Sequence, residues 1–211
     1  MIYTNQEMIF FNSLLDGNEI FGLKIDFPFI ADTKYIEGTI SSLQKKGLID
    51  SSKKLIKTKE NPTPLLEFYK KSEKHILLNN MRIALCGNEY AILISRVNDG
   101  FKIISLSKKH LFVYLVSQIS LLNKQIKLWE DGDKERFSVN EIKEMIYSFD
   151  LADIFFIQKY IGQTLTEDYT LTIKSDTALL FNGKRKDKQV VNGQFIRLLL
   201  LDIFEIDLEE N

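Results

Sequence analysis

The sequence contains few cysteines and histidines, which are common in catalytic and metal centres. Its 211 residues include one cysteine, Cys86, and two histidines, His75 and His110. A single cysteine excludes an intrachain disulfide and is typical of a protein in a reducing compartment. A metal site needs several Cys, His or carboxylate ligands at workable spacing, and neither HExxH nor CxxC occurs. The sequence therefore predicts no metal and no other cofactor.

Motifs for phosphate and acyl chemistry are also missing, since no GxGxxG, P-loop or GxSxG pattern occurs. Cys86 lies in the apolar run IALCG, where a thiol acts more often as a small hydrophobic side chain than as a nucleophile. His110 is expected in the first turn of a helix, whose dipole disfavours a positive charge there. We therefore predict that the protein is not an enzyme.

The chain has no excess of one charge and no long apolar run. Lys and Arg number 28 against 29 Asp and Glu, which argues against nucleic acid or an anionic membrane as a partner. The longest apolar runs, near residues 111–116 and 198–201, are too short to cross a bilayer. The start, MIYTNQEM, lacks the basic and apolar regions of a signal peptide. These features predict a soluble, cytoplasmic protein without membrane insertion.

The first 60 residues predict two helices and a hairpin. Thr4 and Glu7 have the spacing of a capping box, which predicts the start of the first helix. The second helix is expected to run from Asp32 to Gly47, and a short hairpin over residues 48–56 follows it. Together these elements resemble a winged-helix element. The side chains of the second helix that are expected to face inward are Tyr35, Ile36, Ile40 and Leu43.

A winged-helix element makes DNA binding the alternative function. Lysines cluster at the end of the second helix and on the hairpin: Lys45, Lys46, Lys53, Lys54, Lys57 and Lys59. In this hypothesis the helix enters the major groove and the hairpin lysines contact phosphates. However, the outward positions of the helix include no arginine, and a carboxylate near phosphate lowers affinity. Lysines on a solvated hairpin are the simpler interpretation, and a DNA-binding transcriptional regulator is the alternative.

From His75 onward the pattern changes to strands. Residues 89–122 contain two apolar stretches that are joined by Asn-Asp-Gly and followed by an apolar helix, which Ser107 is expected to cap. Asn and Gly tolerate the positive φ of tight hairpin turns. Residues 168–206 show a similar order, with GKRKDKQ as a charged loop before a last helix that Asn192 is expected to cap.

This order predicts the fold class. Short links between consecutive strands permit antiparallel hairpins but not parallel crossovers. We therefore expect an α+β fold with a central antiparallel sheet flanked by helices. We also expect a quasi-two-fold internal repeat of strand, turn, strand and helix. The chain is predicted to be one domain over residues 1–211, with these parts: a winged-helix-like part (1–60), a first β/α unit (75–122), a connection and helix (123–150) and a second β/α unit (151–206).

Two features suggest a protein partner. The helices near residues 108–122 and 195–206 are apolar over more than the stripe of about 100° that packing on one sheet face requires. Such a helix is buried on two sides, by another helix of the fold or by a partner. The only tryptophan stands in a run of charges, and tryptophan is enriched at interface hot spots. The candidate partner-binding residues are Asn98, Asp99, Gly100 and Trp129.

The order of features resembles the EspG-like chaperones associated with type VII (ESX) secretion, and more closely their counterparts in Firmicutes, of the EsaE type. A leading helix precedes IFGL, then come LQKKGLID, a hairpin, PLLEFYKKSEKHILL and the two β/α units. The resemblance implies a cytosolic adaptor that binds helical effectors or toxins, keeps them soluble and helps deliver them for export. It also implies partners with a helical targeting region and leaves open other secretion components and a homodimer.

Overall fold

The computed structural model describes residues 1–24, 33–50, 55–56, 61–118, 135–136, 154–174 and 177–206. Its helices are α1 (Asn5–Ser13), α2 (Thr33–Lys45), α3 (Thr63–Lys71), α4 (Lys108–Gln118) and α5 (Gly193–Phe204). Its strands are β1 (Tyr3–Thr4), β2 (Ile49–Asp50), β3 (Leu55–Ile56), β4 (Lys74–Leu78), β5 (Met81–Cys86), β6 (Tyr90–Val97), β7 (Gly100–Ser107), β8 (Glu135–Arg136), β9 (Ile154–Ile161), β10 (Thr164–Lys174), β11 (Thr177–Asn182) and β12 (Asp187–Val191). None of the helices in these ranges has the length and apolar character needed to span a membrane.

One large antiparallel sheet organises the described residues. Ten strands follow the order β1-β7-β6-β5-β4-β9-β10-β11-β12-β8, while β2 and β3 pair separately. The strands β4 to β7 form one meander and β9 to β12 another. The two meanders meet where β4 pairs antiparallel with β9, with Ile76 opposite Lys159. α4 follows the first meander directly and α5 follows the second. The predicted α+β class with a central antiparallel sheet is confirmed.

Helices pack on both faces of this sheet. α4 and α5 cover one face, where the core includes Ile76, Leu93, Leu111, Ile157, Leu171, Ile196 and Leu200. α1, α2 and α3 cover the opposite face of β5 to β7, where the core includes Met8, Phe11, Leu43, Tyr69, Ala84, Ile92 and Phe101. Because strand side chains alternate between faces, β5 and β6 contribute to both cores. This explains why their sequences are nearly continuous apolar runs.

The local signals at the element ends behave as predicted. Thr4 and Glu7 form the reciprocal capping box at the start of α1. The Ser107 hydroxyl accepts the His110 N–H at 3.1 Å, and the Asn192 side chain accepts the Phe195 N–H at 2.8 Å. These contacts satisfy backbone donors that an isolated helix start would leave unpaired.

The prediction of a loop over GKRKDKQ is wrong in its second half. Only Gly183–Lys186 form a turn, and β12 begins at Asp187 and pairs residue by residue with β11. In the described residues β12 has on its other side only the two-residue strand β8. Strands near a sheet edge carry polar side chains because solvent reaches them. The polar composition of this segment therefore led to the incorrect prediction of a loop where β12 lies.

Other expectations changed in detail or lie outside the described residues. α2 contacts α1 through its second half, so Leu43 is fully buried while Ile36, expected to face inward, is exposed. β10 begins at Thr164, whereas the sequence pattern predicts a strand only over Tyr169–Ile173. Most of the predicted connection and helix over residues 123–150 lies outside the described residues, and Trp129 lies there too.

Candidate functional site: a groove at one end of the sheet

Several elements begin or end at the same end of the sheet. β4 and β6 begin there and β5 and β7 end there, because consecutive strands of a meander run in opposite directions. β9 also ends there, with Ile161 opposite Lys74. α3 ends just before β4, and α4 starts directly after β7. Side chains that are distant in sequence therefore meet at this end.

A groove of about 660 Å³ opens here between α3 and the strands β5 to β7. α3 contributes Leu65 and Phe68, and the strands contribute Cys86, Tyr90 and Ile92. Phe68 is 60% exposed and Tyr90 is 55% exposed. Pockets that bind ligands commonly have volumes of about 300–1,000 Å³ and mainly apolar walls. The groove therefore offers two large aromatic side chains that a bound partner can cover.

Local structure places Phe68 on the wall of the groove. Leu66 and Tyr69 of α3 are fully buried and face the core. The adjacent side of the helix, which carries Phe68, therefore faces away from the core and is exposed. The end of α3 is tied to the sheet by Ser72, whose hydroxyl donates to the Leu85 carbonyl at 2.9 Å. The same hydroxyl accepts the Lys74 N–H at 3.2 Å. These bonds hold the end of α3, which forms one side of the groove, against the strands β4 and β5.

The floor is set by the turn between β5 and β6. Gly87 has φ +65°, a left-handed conformation that glycine adopts without strain. The turn brings Tyr90 opposite Cys86, and strand alternation places Tyr90 and Ile92 on the same face. Burial raises the pKa of the Cys86 thiol, and the charge of Lys108 opposes this rise. The thiol is consequently neutral at physiological pH and contributes apolar surface to the groove.

A charged cluster centred on Glu205 closes one end of the groove. The Lys74 ammonium donates to Glu205 Oε2 at 2.8 Å, and Lys159 Nζ lies 3.0 Å from Oε1. Lys108 Nζ lies 3.9 Å from Oε2. Burial alone raises the pKa of the Glu205 carboxyl, but the hydrogen bonds from Lys74 and Lys159 outweigh it and hold that pKa below its ordinary value. Glu205 is therefore a carboxylate at neutral pH.

Glu205 occupies an unusual backbone position. It follows α5 with φ +54° and ψ +51°, the left-handed conformation that most often holds glycine at a helix end. A second cavity of about 580 Å³ extends past it towards Lys108 and Lys109, and Asn88, Tyr90 and Glu205 line both cavities. The apolar groove and the charged cluster are therefore continuous.

The groove has the properties of a binding surface. Its lining combines exposed aromatics, a neutral thiol and lysines paired with a carboxylate. In the described part of the chain, no group of three or more His, Cys, Asp or Glu side chains could hold a metal ion. The arrangement is suited to covering apolar side chains of a partner.

Of the residues predicted from sequence to bind a partner, Asn98, Asp99 and Gly100 do not line the groove, and Trp129 lies outside the described residues. Asn98 and Asp99 are exposed at the turn between β6 and β7, at the opposite end of β6 from Tyr90. Gly100 is buried, and a Cβ there would lie 2.6 Å from the Tyr3 carbonyl oxygen because β1 pairs with β7 at this point. Gly100 therefore serves close packing within the fold, while Asn98 and Asp99 stay predictions.

Sequence reasoning missed Phe68 and Tyr90. The available signal was the width of the apolar side of α3, because Leu65, Leu66, Phe68 and Tyr69 extend over more of a short helix than one buried stripe needs. No signal in the sequence predicted that Tyr90, the first residue of β6, would line the same groove as Phe68.

Residues 1–145 match the family model described as a domain of unknown function, DUF5081. The chain belongs to this family. The DUF5081 range contains α3 and β5 to β7, the apolar walls of the groove, together with Lys74 and Lys108. Lys159 and Glu205 lie beyond it. No curated protein matches the sequence.

Proposed function

We propose that the protein is a cytosolic chaperone or adaptor that binds a helical segment of a type VII secretion substrate. The substrate is of the effector or toxin class, and binding keeps it soluble for export. The observation that carries this proposal is the groove with Phe68 and Tyr90 exposed on it. An amphipathic helix binds such a groove through apolar side chains spaced three and four residues apart.

Covering the apolar side chains of the groove would contribute favourably to binding. Each Å² of apolar surface that is removed from water contributes about 25 cal/mol, and aromatic residues at the centre of an interface are frequent hot spots. A chaperone must release its client, so an open groove with a few aromatic anchors is better suited to this role than a fully enclosed site.

The proposal includes the finer features of the fold. The units β4–β7–α4 and β9–β12–α5 have the same order of elements and adjoin through an antiparallel pair of first strands, which supports a quasi-two-fold repeat. α1, α2 and the β2–β3 hairpin would form the winged-helix-like part. This order supports the likeness to EspG-like chaperones, which is the reason for naming a type VII substrate.

A co-purification experiment tests the proposal. The chain is co-expressed with the helical protein encoded beside it, and the affinity of the purified pair is measured by calorimetry. We expect a complex that the double substitution Phe68→Ser, Tyr90→Ser weakens by at least about tenfold, or about 1.4 kcal/mol. Leu198→Ser is the matched control, because Leu198 is 56% exposed on α5 and does not line the groove.

The competing function predicts a different result. A DNA-binding regulator would shift duplex DNA in a salt-dependent manner and would leave the neighbouring protein unbound. Lys46 of the predicted basic cluster binds Glu7 and the Ile2 carbonyl inside the fold, which reduces the cations offered to phosphate. DNA binding without client binding would overturn the chaperone proposal. If client binding survives the double substitution, the interface does not depend on Phe68 and Tyr90 and lies elsewhere on the protein.

A further inference from the structure

The Glu205 cluster contains more positive charge than its own carboxylate requires. The ammonium groups of Lys74, Lys108 and Lys159 all lie within 4.0 Å of Glu205. The carboxyl end of α5 adds the equivalent of about half a negative charge. Lys108 takes part in further interactions. Even without it, the two positive charges of Lys74 and Lys159 exceed the combined negative charge of the Glu205 carboxylate and the end of α5. Counted over the described residues, the inner cluster therefore carries a net positive charge.

Among the residues that the structure describes, the surrounding rim does not neutralise this excess. Glu73 and Glu89 line the two cavities, but so do Lys71 and Lys109, and all four residues are exposed. Charges in water are strongly screened, whereas Lys159 has only 12% of its side chain exposed. The cost of burying a cation is reduced by an additional anion, so the cluster favours a further carboxylate.

We propose that Lys74, Lys108 and Lys159 form a subsite for an Asp or Glu side chain of the bound helix. The occupant is an amphipathic helix of a partner protein whose apolar residues cover Phe68 and Tyr90. Its carboxylate lies beyond this apolar stripe, because Lys74 and Glu205 line the same groove as the two aromatics. This inference rests on the proposed function and adds a charge requirement to the client.

Two synthetic helical peptides test the subsite. Both carry the same leucine stripe and capped termini; one has Glu beyond the stripe and the other has Gln at that position. Fluorescence anisotropy with the full chain at low and high salt gives their affinities. We expect the Glu peptide to bind about tenfold more tightly at low salt, and we expect salt to reduce the preference.

Substitutions assign the preference to the cluster. Lys74→Gln combined with Lys159→Gln should abolish it, while Lys102→Gln, an exposed lysine on β7, should leave it intact. Glu205→Gln should strengthen binding of the Glu peptide, because it removes the internal carboxylate that competes for the same lysines. A purely structural role for these residues would not produce this opposite response.

The outcomes separate the inference from the proposed function. If both peptides bind equally and Phe68→Ser weakens both, the carboxylate subsite is overturned and the apolar groove stands. If neither peptide binds, the subsite is also overturned, and client co-purification alone decides the proposed function. A preference for the Glu peptide that survives the double lysine substitution likewise overturns the assignment.

Discussion

Two carboxylates in this chain, Glu7 and Glu205, are both paired with lysine but in opposite ways. Glu7 is fully buried; it accepts the Thr4 N–H at 2.8 Å, the Ser42 hydroxyl at 2.8 Å and the Lys46 ammonium. Lys46 also donates to a backbone carbonyl. Around Glu205, three lysines gather on one carboxylate that is 31% exposed beside an open groove.

The difference shows what each cluster does. A buried carboxylate with a full set of donors and one cation holds α1, α2 and the N-terminal strand together. Such a network is costly to break and has nothing left to offer a partner. The Glu205 cluster holds less structure together and retains positive charge. Substitutions at the first site should therefore change stability, and those at the second should mainly change binding.

The largest effect is expected at Glu7. Glu7→Gln removes the charge opposite Lys46 and places an amide N–H₂ group against other donors. We expect unfolding free energy to fall by about 3 kcal/mol, as for other broken buried pairs, measured by urea denaturation. The control is Glu67→Gln, which breaks the exposed pair of Glu67 with Lys71 and should cost less than about 0.5 kcal/mol. Equal losses would contradict the comparison.

Gly100→Ala should give the next largest effect. A Cβ there would lie 2.6 Å from the Tyr3 carbonyl oxygen and 2.7 Å from Ile2 Cγ2, so β1 must move away from β7. We expect a loss of about 2 kcal/mol, in the range of other overpacked sites, with faster amide exchange at β1. The control is Gly38→Ala on α2, where a Cβ would meet no described atom outside its own helical turn within 4 Å and a gain of up to about 1 kcal/mol is expected. Similar changes in both variants would refute the packing argument.

His75 should produce an intermediate effect on stability that depends on pH. It is buried between Phe21 and Tyr69, its Nε2 lies 3.0 Å from the Tyr69 carbonyl oxygen, and its Nδ1 has no partner among the described residues. Burial lowers the pKa of His75, although the bond to the Tyr69 carbonyl opposes this. The folded state therefore resists a proton that the unfolded chain accepts below pH 6.5.

Stability should thus be independent of His75 at higher pH and fall as pH drops below 6.5 towards the lowered pKa. The limiting slope is about 1.4 kcal/mol per pH unit for one proton. Urea denaturation at several pH values between 7 and 5 measures it, and His75→Leu should reduce the slope. An unchanged slope in that variant would assign the acid sensitivity to other groups.

The sequence predicted features that depend on neighbouring residues and missed those that depend on distant ones. The capping box of Thr4 and Glu7, the caps at Ser107 and Asn192, and the Asn98 turn all involve residues within a few positions of each other. In contrast, Lys74 and Glu205 are separated by 131 residues and meet only because strand and helix ends converge. No spacing in the chain reveals that contact.

The missed strand β12 and the missed groove have related causes. Polar residues form a strand when a partner strand supplies the hydrogen bonds, so composition alone failed for Asp187–Val191. Phe68 and Tyr90 are apolar, and a rule that places apolar residues inside a protein would bury both. Both instead line the groove beside the end of α3, where the Ser72 hydroxyl bonds to β5.

The smallest change in unfolding free energy is expected on substitution of Glu205. This substitution tests whether the carboxylate contributes to the stability of the fold. The pKa of Glu205 is lowered in the folded state, so its ion pairs stabilise the fold at neutral pH and this contribution is lost as pH falls through the lowered pKa. Because the group is partly exposed, Glu205→Gln should cost less than about 1 kcal/mol.

Glu205→Gly supplies the matched variant. It removes the same ion pairs but relieves a left-handed backbone that costs a non-glycine residue about 1 kcal/mol. Its unfolding free energy should therefore lie within about 0.5 kcal/mol of the wild type and above that of Glu205→Gln. If glycine were strongly destabilising, Glu205 would be a structural ion pair comparable with Glu7. If glycine is tolerated, the carboxylate is not needed for the fold, and its place beside the groove is better explained by control of what binds to the lysines.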